Sequence, residues 1–233
     1  KTILATGASR GIGLEWTRQC LERGHRLIAT CRDPEGAAEL NALRNKHPEQ
    51  LEVLPLDVED ETSAQNLFLQ LDQREQAIDL LFNNAGIMDW DDLRSVDAAS
   101  AEKIYKVNLV GALIVLRTAL PCLRRAESPV VVNVSSRLGS IELRGNTQLG
   151  GAIAYQCSKA ALNMLTKQAS IDLAADGITV LSQSPGWVRT DMGGENAKFS
   201  VEESVANMLR HLENVGPEAN GKFLGEEGEE IPW

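Results

Sequence analysis

Tyr155 and Lys159 stand four positions apart in Tyr155-Gln156-Cys157-Ser158-Lys159, a spacing that stacks both side chains on one face of a helix. A phenol ionises near pH ~10, so proton exchange at neutral pH requires a neighbouring positive charge that favours phenolate. Lys159 is the cation within reach. An amphipathic helix carrying an incidental Tyr and Lys has the same spacing, so the pair needs support from elsewhere. Tyr105, the other tyrosine, has Leu109 four positions on and lacks such a partner; it is expected in the core or at a subunit surface.

Support comes from the start of the chain. A short apolar run leads into Thr6-Gly7-Ala8-Ser9-Arg10-Gly11-Ile12-Gly13, a glycine-rich turn at the head of an amphipathic segment. Glycines there allow a tight turn and let a pyrophosphate approach free backbone N–H groups at the positive end of a helix. Gly7, Ser9, Arg10, Gly11, Ile12 and Gly13 are therefore expected to hold a dinucleotide, although a glycine turn alone has purely steric explanations. The next apolar run ends in Ala29-Thr30-Cys31-Arg32, where an NAD site usually carries an acid for the ribose 2'-hydroxyl. Here Cys31 occupies that place, and Arg32, with Arg10, can pair with a 2'-phosphate. NADP(H) is the expected cofactor, by roughly one to two orders of magnitude for a charge-assisted bond. Asp33 nearby keeps NAD(H) possible. An oxidised nicotinamide would add to the positive charge beside Tyr155.

The elements that must position these groups are legible as an alternation. β-branched or Leu-rich runs at 2–6, 26–31, 51–56, 79–82, 129–134 and 178–182 read as strands. Helical segments are expected at 11–23, 37–46, 61–76, 101–125, 152–175 and 201–214, with Gly24 and Gly177 as C-terminal stops. Residues 222–224 are a candidate closing strand. Strands apolar at consecutive positions suit a sheet covered on both faces. The expected fold is α/β, a Rossmann-type doubly wound, mostly parallel sheet flanked by helices on both faces. Without repeats or linkers, residues 1–233 are expected to form one dinucleotide-binding domain.

The 233 residues carry a formal net charge of -10 and show no basic cluster, which argues against nucleic acid as a partner. The acidic run Glu226, Glu227, Glu229 and Glu230 is expected to be a solvated turn. Cys20, Cys31, Cys122 and Cys157 lack zinc or dithiol spacing, so they are expected as reduced, mostly buried thiols and no metal is expected. His25, His47 and His211 fall outside every motif and are expected at the surface. The chain opens on a strand rather than on a leader, and no uninterrupted apolar run approaches the ~18 residues of a membrane span. A cytoplasmic protein without membrane contact is the expectation.

Together with Asn83-Asn84-Ala85-Gly86, Asn108, Ser135-Ser136 and Pro185-Gly186, these motifs stand in an order that resembles the short-chain dehydrogenase/reductase family across essentially the whole chain. Within it, Ser135-Ser136-Arg137-Leu138-Gly139-Ser140-Ile141 and the ending Ile231-Pro232-Trp233 resemble the C-factor and Sniffer-type carbonyl reductases. The resemblance implies that Ser136, with Gly139 completing its motif, polarises a substrate carbonyl, Ser135 being the alternative. It implies Tyr155 as proton donor, Lys159 on the nicotinamide ribose and Asn108 holding a water of the proton relay. Asp57 and Val58 would meet the adenine, with a strand-end turn as the competing role for Asp57. Asn84, Ala85 and Gly86 would line the adenosine side. Pro185, Gly186, Val188 and Thr190 would hold the carboxamide side.

Two departures from the family pattern concern the substrate mouth. Ser136 and Tyr155 are 19 positions apart, with extra loop at 144–151, and the segment 193–200 is short for a lid. Met88, Trp90, Leu138, Trp187 and Met192 are candidates for an apolar substrate wall, or for ordinary packing under loops. The implied activity is reversible hydride transfer between NADP(H) and a small carbonyl compound or alcohol. The alternatives are a cofactor-binding signalling or regulatory protein with little turnover, and an epimerase or dehydratase that recycles its cofactor. The resemblance also implies a homodimer or homotetramer paired through the helices at 101–125 and 152–175.

Overall fold

The strands are parallel throughout because every connection returns over a face of the sheet. A computed structural model of the chain describes residues 1–145 and 151–233. Seven strands, β1 (Thr2–Ala5), β2 (Arg26–Cys31), β3 (Leu51–Pro55), β4 (Leu80–Asn83), β5 (Val130–Val134), β6 (Thr179–Gln183) and β7 (Phe223–Leu224), pair in the order β3-β2-β1-β4-β5-β6-β7. All pairings are parallel. The order reverses between β1 and β4, so connections leave these two strands toward opposite faces and a crevice opens at their carboxyl ends.

Consecutive apolar residues have a direct cause here. Ile3, Ala5, Leu27, Ala29, Val130 and Val132 point to one core, while Leu4, Ile28, Leu81 and Val131 point to the other. The first core is closed by α1 (Gly11–Glu22), α2 (Ala38–Lys46) and α7 (Val201–Leu212), with Trp16 stacked on Phe82 at a centroid distance of 3.9 Å. The second is closed by α3 (Glu61–Gln73), α5 (Ala112–Leu123) and α6 (Ile153–Asp172). Local chemistry sets several starts: Asp60 caps α3 by accepting from Thr62 N, and Ser200 with Glu203 forms a capping box on α7. Gly24 and Gly177 take left-handed φ of 78° and 70° where α1 and the turn after α6 stop.

Two findings depart from the sequence pattern. The helix expected at 101–125 begins at Ala98, and between α4 (Ala98–Tyr105) and α5 the backbone runs as a π-helix over Lys106–Gly111. Asn108 lies in that π-helical stretch, and Gly111 sits where a Cβ would come within 3.0 Å of Val58. The whole helical stretch Ala98–Leu123 has a mean hydropathy of 1.5 over its most apolar part, which by composition matches a membrane span. Glu102, Lys103, Lys106 and Arg117 interrupt it, and Ile114, Val115, Leu116 and Ala119 pack into the second core.

The other departures are smaller. The histidines are partly exposed at the surface: His25 and His47 are half-buried, and half-buried His211 meets Gln183 Oε1 through Nε2 at 2.9 Å. Burial lowers the pKa of His25 and His211. Cys20, Cys31 and Cys122 are buried and Cys157 is exposed. Tyr105 is half-buried, and burial, with the Cys157 thiol beside it, raises its pKa. Of the loop expected at 144–151, residues 146–150 lie outside the described residues.

Candidate active site

A cleft of about 930 Å³ opens at the reversal point of the sheet. Its floor is the turn between β1 and α1, where Gly7 and Gly11 adopt φ of 65° and 54° and Gly7, Ser9, Arg10, Gly11 and Ile12 face the cavity. Gly13 lies behind them: a Cβ there would stand 2.3 Å from the Gly7 carbonyl oxygen and 2.7 Å from Asn84 Nδ2, so only glycine fits. Among the described residues no side chain caps α1, whose first turn opens on the cleft. Backbone donors at a positive helix end, with side chains sterically excluded, fit the pyrophosphate of a dinucleotide.

Asn84 shapes this floor. Its Nδ2 donates to the carbonyl oxygens of Thr6 and Gly7 at 3.0 and 3.1 Å, while Thr6 Oγ1 accepts from the backbone N–H groups of Asn84 and Ala85. Ala85 and Gly86 continue the wall, and Asp57 and Val58 line the cavity beside them. Asp57 also serves its own turn by accepting from Glu59 N at 3.0 Å. Arg32 lines the cleft, with its side chain exposed, and Arg10 lies 3.7 Å from Asp191, both side chains open to solvent. Asp33, the acid that kept NAD(H) open, accepts from Gly36 N at 3.1 Å and is absent from the cavity lining.

At the other end, α6 presents Tyr155 and Lys159 to the cleft as the i, i+4 spacing requires. Ser136, at the end of β5, caps a short 3-10 turn, Arg137–Gly139, by accepting from Leu138 N at 3.2 Å, and its hydroxyl is hydrogen-bonded to Tyr155. Ser135 is buried, and its hydroxyl points to the Lys159 carbonyl oxygen at 3.5 Å. Ser136 is thus the serine beside the phenol. Gly139 is required by packing, since a Cβ there would meet Lys159 Cβ at 2.7 Å.

The electrostatics differ from the sequence expectation in one respect. Lys159 does not pull the Tyr155 phenol down in this state. Its ammonium is buried, donates to the Val134 carbonyl oxygen at 2.7 Å and sits 5.6 Å from the centroid of the phenol ring. Burial pushes Tyr155 up to about 12, opposed only by the Ser136 hydrogen bond, and burial pulls Lys159 down to about 8. Asn108 does not face the cavity. Its Oδ1 accepts from Ile87 N, and its Nδ2 donates to Ile87 O and to Ser158 Oγ, which ties the π-helical stretch to α6 and to the strand-end loop.

The remaining wall is Pro185, Gly186, Val188 and Thr190, with Thr190 Oγ1 accepting from Gly193 N at 3.1 Å. The short segment after it is tied down: Phe199 N donates to Trp187 O, and Arg189 N to Phe199 O. Met88, Trp90, Leu138, Trp187 and Met192 do converge on the cleft. The acidic run is not a free solvated turn, because Glu226 and Glu229 pair with Arg137, next to Ser136, and Glu230 lies 3.5 Å from Lys222. Nothing in the local sequence joins residues 137 and 226. A buried polar row without any local sequence signal crosses the sheet: Asn83 donates to Asn133, Asn133 to Thr166, and Ser182 to Thr166.

Comparison with known proteins gives a consistent set of relatives. A family model described as short chain dehydrogenase matches residues 1–200. The C-signal of Myxococcus xanthus is 43% identical over 157 residues, which cover 67% of this chain and 93% of that protein. The NADPH-bound carbonyl reductase from chicken fatty liver superposes with a TM-score of 0.94 at 37% identity, covering 100% of this chain and 98% of that one. The carbonyl reductase Sniffer of D. melanogaster gives 0.93 at 32% identity, covering 100% and 99%.

Proposed function

The chain belongs to the short-chain dehydrogenase family, and from that premise we propose that it is an NADP(H)-dependent oxidoreductase interconverting a small carbonyl compound and an alcohol. The observation that carries the reading is Tyr155, buried, hydrogen-bonded to Ser136 and set on the same cleft as the glycine-rich turn. NADPH, when bound, supplies the hydride. The turn and the uncapped start of α1 would hold its pyrophosphate, Arg32 and Arg10 its 2'-phosphate, and Asp57 with Val58 its adenine. Pro185, Gly186, Val188 and Thr190 would hold the carboxamide end. The NADPH-bound relative and the withdrawal of Asp33 into its own turn support the phosphate over the free hydroxyl.

The phenol pushed up to about 12 is protonated at neutral pH, which suits donation of a proton to the oxygen of a carbonyl being reduced. Ser136 offers a hydroxyl donor to the same oxygen as negative charge develops there. Lys159 has one N–H committed to Val134 and two left for ribose hydroxyls. The amide of Asn108 is spent on Ile87 and Ser158, which leaves its backbone carbonyl, in the π-helical stretch, as the group to hold a relay water. The apolar wall of Met88, Trp90, Leu138, Trp187 and Met192 favours an apolar substrate.

All seven strands share one sheet, which supports a single domain. Leu113 on α5 and Met164 on α6 are 44% and 69% exposed, with Val110 and Ile171 also exposed on this side, and such a face supports pairing of copies into a homodimer or homotetramer. A reducing, cytoplasmic setting is the one in which four free cysteines persist. The test of the chemistry is Tyr155→Phe. Turnover of NADPH with a carbonyl compound is expected to fall by about 10² to 10⁴, while NADPH binding stays within about twofold. Turnover equal to that of the unsubstituted protein contradicts the reading, and a binder without turnover would show no effect at all.

A further inference from the structure

The turn that follows Ser136 is gripped by the far end of the chain. Arg137 Nε donates to Glu226 Oε2 at 3.0 Å, and Arg137 Nη2 is bonded to Glu229. Three residues on, Ser140 Oγ donates to the carbonyl oxygen of Pro232 at 2.7 Å, and Ile141 N donates to the backbone oxygen of Trp233 at 2.6 Å. Two independent anchors therefore fall within the five residues after the serine. Each joins segments about 90 positions apart, and Arg137 itself lines the cleft.

The gripping segment is in turn fixed to the sheet. Ile231 N donates to Phe223 O in β7 at 2.7 Å, Gly225 N donates to Glu229 O at 2.7 Å, and Trp233 stacks on Phe223 at 5.7 Å. Glu226 is only 8% exposed, and its carboxyl carbon lies 3.3 Å from where a Cβ of Gly186 would stand. One buried carboxylate thus backs both the serine turn and the Pro185-Gly186 loop across the cleft. With the Arg137 side chain 38% exposed, the pair is weak as a stabilising device, since solvent screens the attraction. Its value is directional, because a guanidinium fork fixes position as well as charge.

We propose that Arg137, held by Glu226 and Glu229, is a positioning residue that keeps the Ser136 hydroxyl aimed at Tyr155, with the Trp233 backbone as a second strap on the same turn. The inference rests on the assignment of Ser136 to the carbonyl oxygen. Loosening the clamp displaces a group whose contribution arises only as charge develops, so the loss falls on kcat rather than on KM or on cofactor binding. A displacement of about 1 Å at a reacting group is worth up to about 10²-fold.

The experiment uses the full chain with two readouts. In Arg137→Met, kcat for NADPH-dependent carbonyl reduction is expected to fall about 10- to 100-fold, with the NADPH dissociation constant and carbonyl KM within about twofold. Arg137→Lys, which keeps a cation without the fork, is expected to fall between the two. Without any turnover, amide hydrogen exchange over residues 138–142 is expected to be about tenfold faster in Arg137→Met than in the unsubstituted protein. Unchanged kcat in Arg137→Met, a Lys variant no better than the Met variant, or unchanged exchange at 138–142 overturns the proposal. Should Arg137→Met fail to fold, Glu229→Gln, at a side chain 44% exposed, is expected to lower kcat about two- to fivefold and to speed the same amides. If the unsubstituted protein reduces no carbonyl compound, the assignment of function fails, and exchange alone still judges the clamp.

Discussion

Replacing Lys159 by Met is expected to make the cofactor-free protein more stable at pH 7. The buried ammonium is pulled from its ordinary 10.5 down to about 8, and that difference corresponds to about 3 kcal/mol of unfavourable burial when the group is charged. Lys159→Met removes this cost but leaves the Val134 carbonyl oxygen without its donor, a loss of about 1 to 2 kcal/mol. The net gain at pH 7 is about 1 to 2 kcal/mol. Between pH 8 and 10.5 the native protein binds fewer protons at Lys159 than the unfolded chain, so the stability of the unsubstituted protein rises with pH there. The advantage of the variant must therefore shrink across that window and reverse above it. Tyr155, raised to about 12, makes stability fall with pH above 10 in both proteins and cancels in the difference. Urea unfolding followed by tryptophan fluorescence at pH 7 and pH 10 measures both quantities. A variant less stable at pH 7, or a difference that does not change with pH, refutes the reasoning.

Three further outcomes follow from the same geometry. Arg32→Ala is expected to reduce the ratio of kcat/KM for NADPH over NADH by about 10- to 100-fold, and an unchanged ratio would make Arg32 a solvated charge. In Gly13→Ala the new Cβ meets the Gly7 carbonyl oxygen at 2.3 Å, so nucleotide binding should weaken at least about tenfold and the melting temperature should drop by several degrees. Normal calorimetric binding of nucleotide would show that the turn can open. Leu113→Glu places a charge on the exposed apolar face and is expected to convert an oligomer to monomer in sedimentation, with the circular dichroism spectrum unchanged.

The sequence was most informative where local chemistry decides the structure. Strands buried on both faces, such as β5 with Val130, Val131 and Val132, carry their position in consecutive apolar residues. The glycines of the first turn announce a backbone that side chains would obstruct, and the spacing of Tyr155 and Lys159 puts them on one face whatever else the helix does. The charge state of that pair was not legible. It depends on burial, which only the folded chain supplies. The π-helical stretch at Lys106–Gly111 carries no turn or breaker signal of its own in the sequence, and the close packing of Gly111 against Val58 shows itself only in the fold. Glu226 and Glu229 read as a solvated acidic turn because nothing near them in sequence needs a carboxylate. Their partner, Arg137, meets them only after β5 and β7 have taken their places in the sheet.

The most direct measurement is the rate at which the purified protein consumes NADPH, and separately NADH, in the presence of an apolar aldehyde or ketone. The geometry of the cleft predicts consumption of reduced nicotinamide with a kcat/KM about 10- to 100-fold higher for NADPH. Tight binding of neither nucleotide, with no consumption of either, would contradict the assignment.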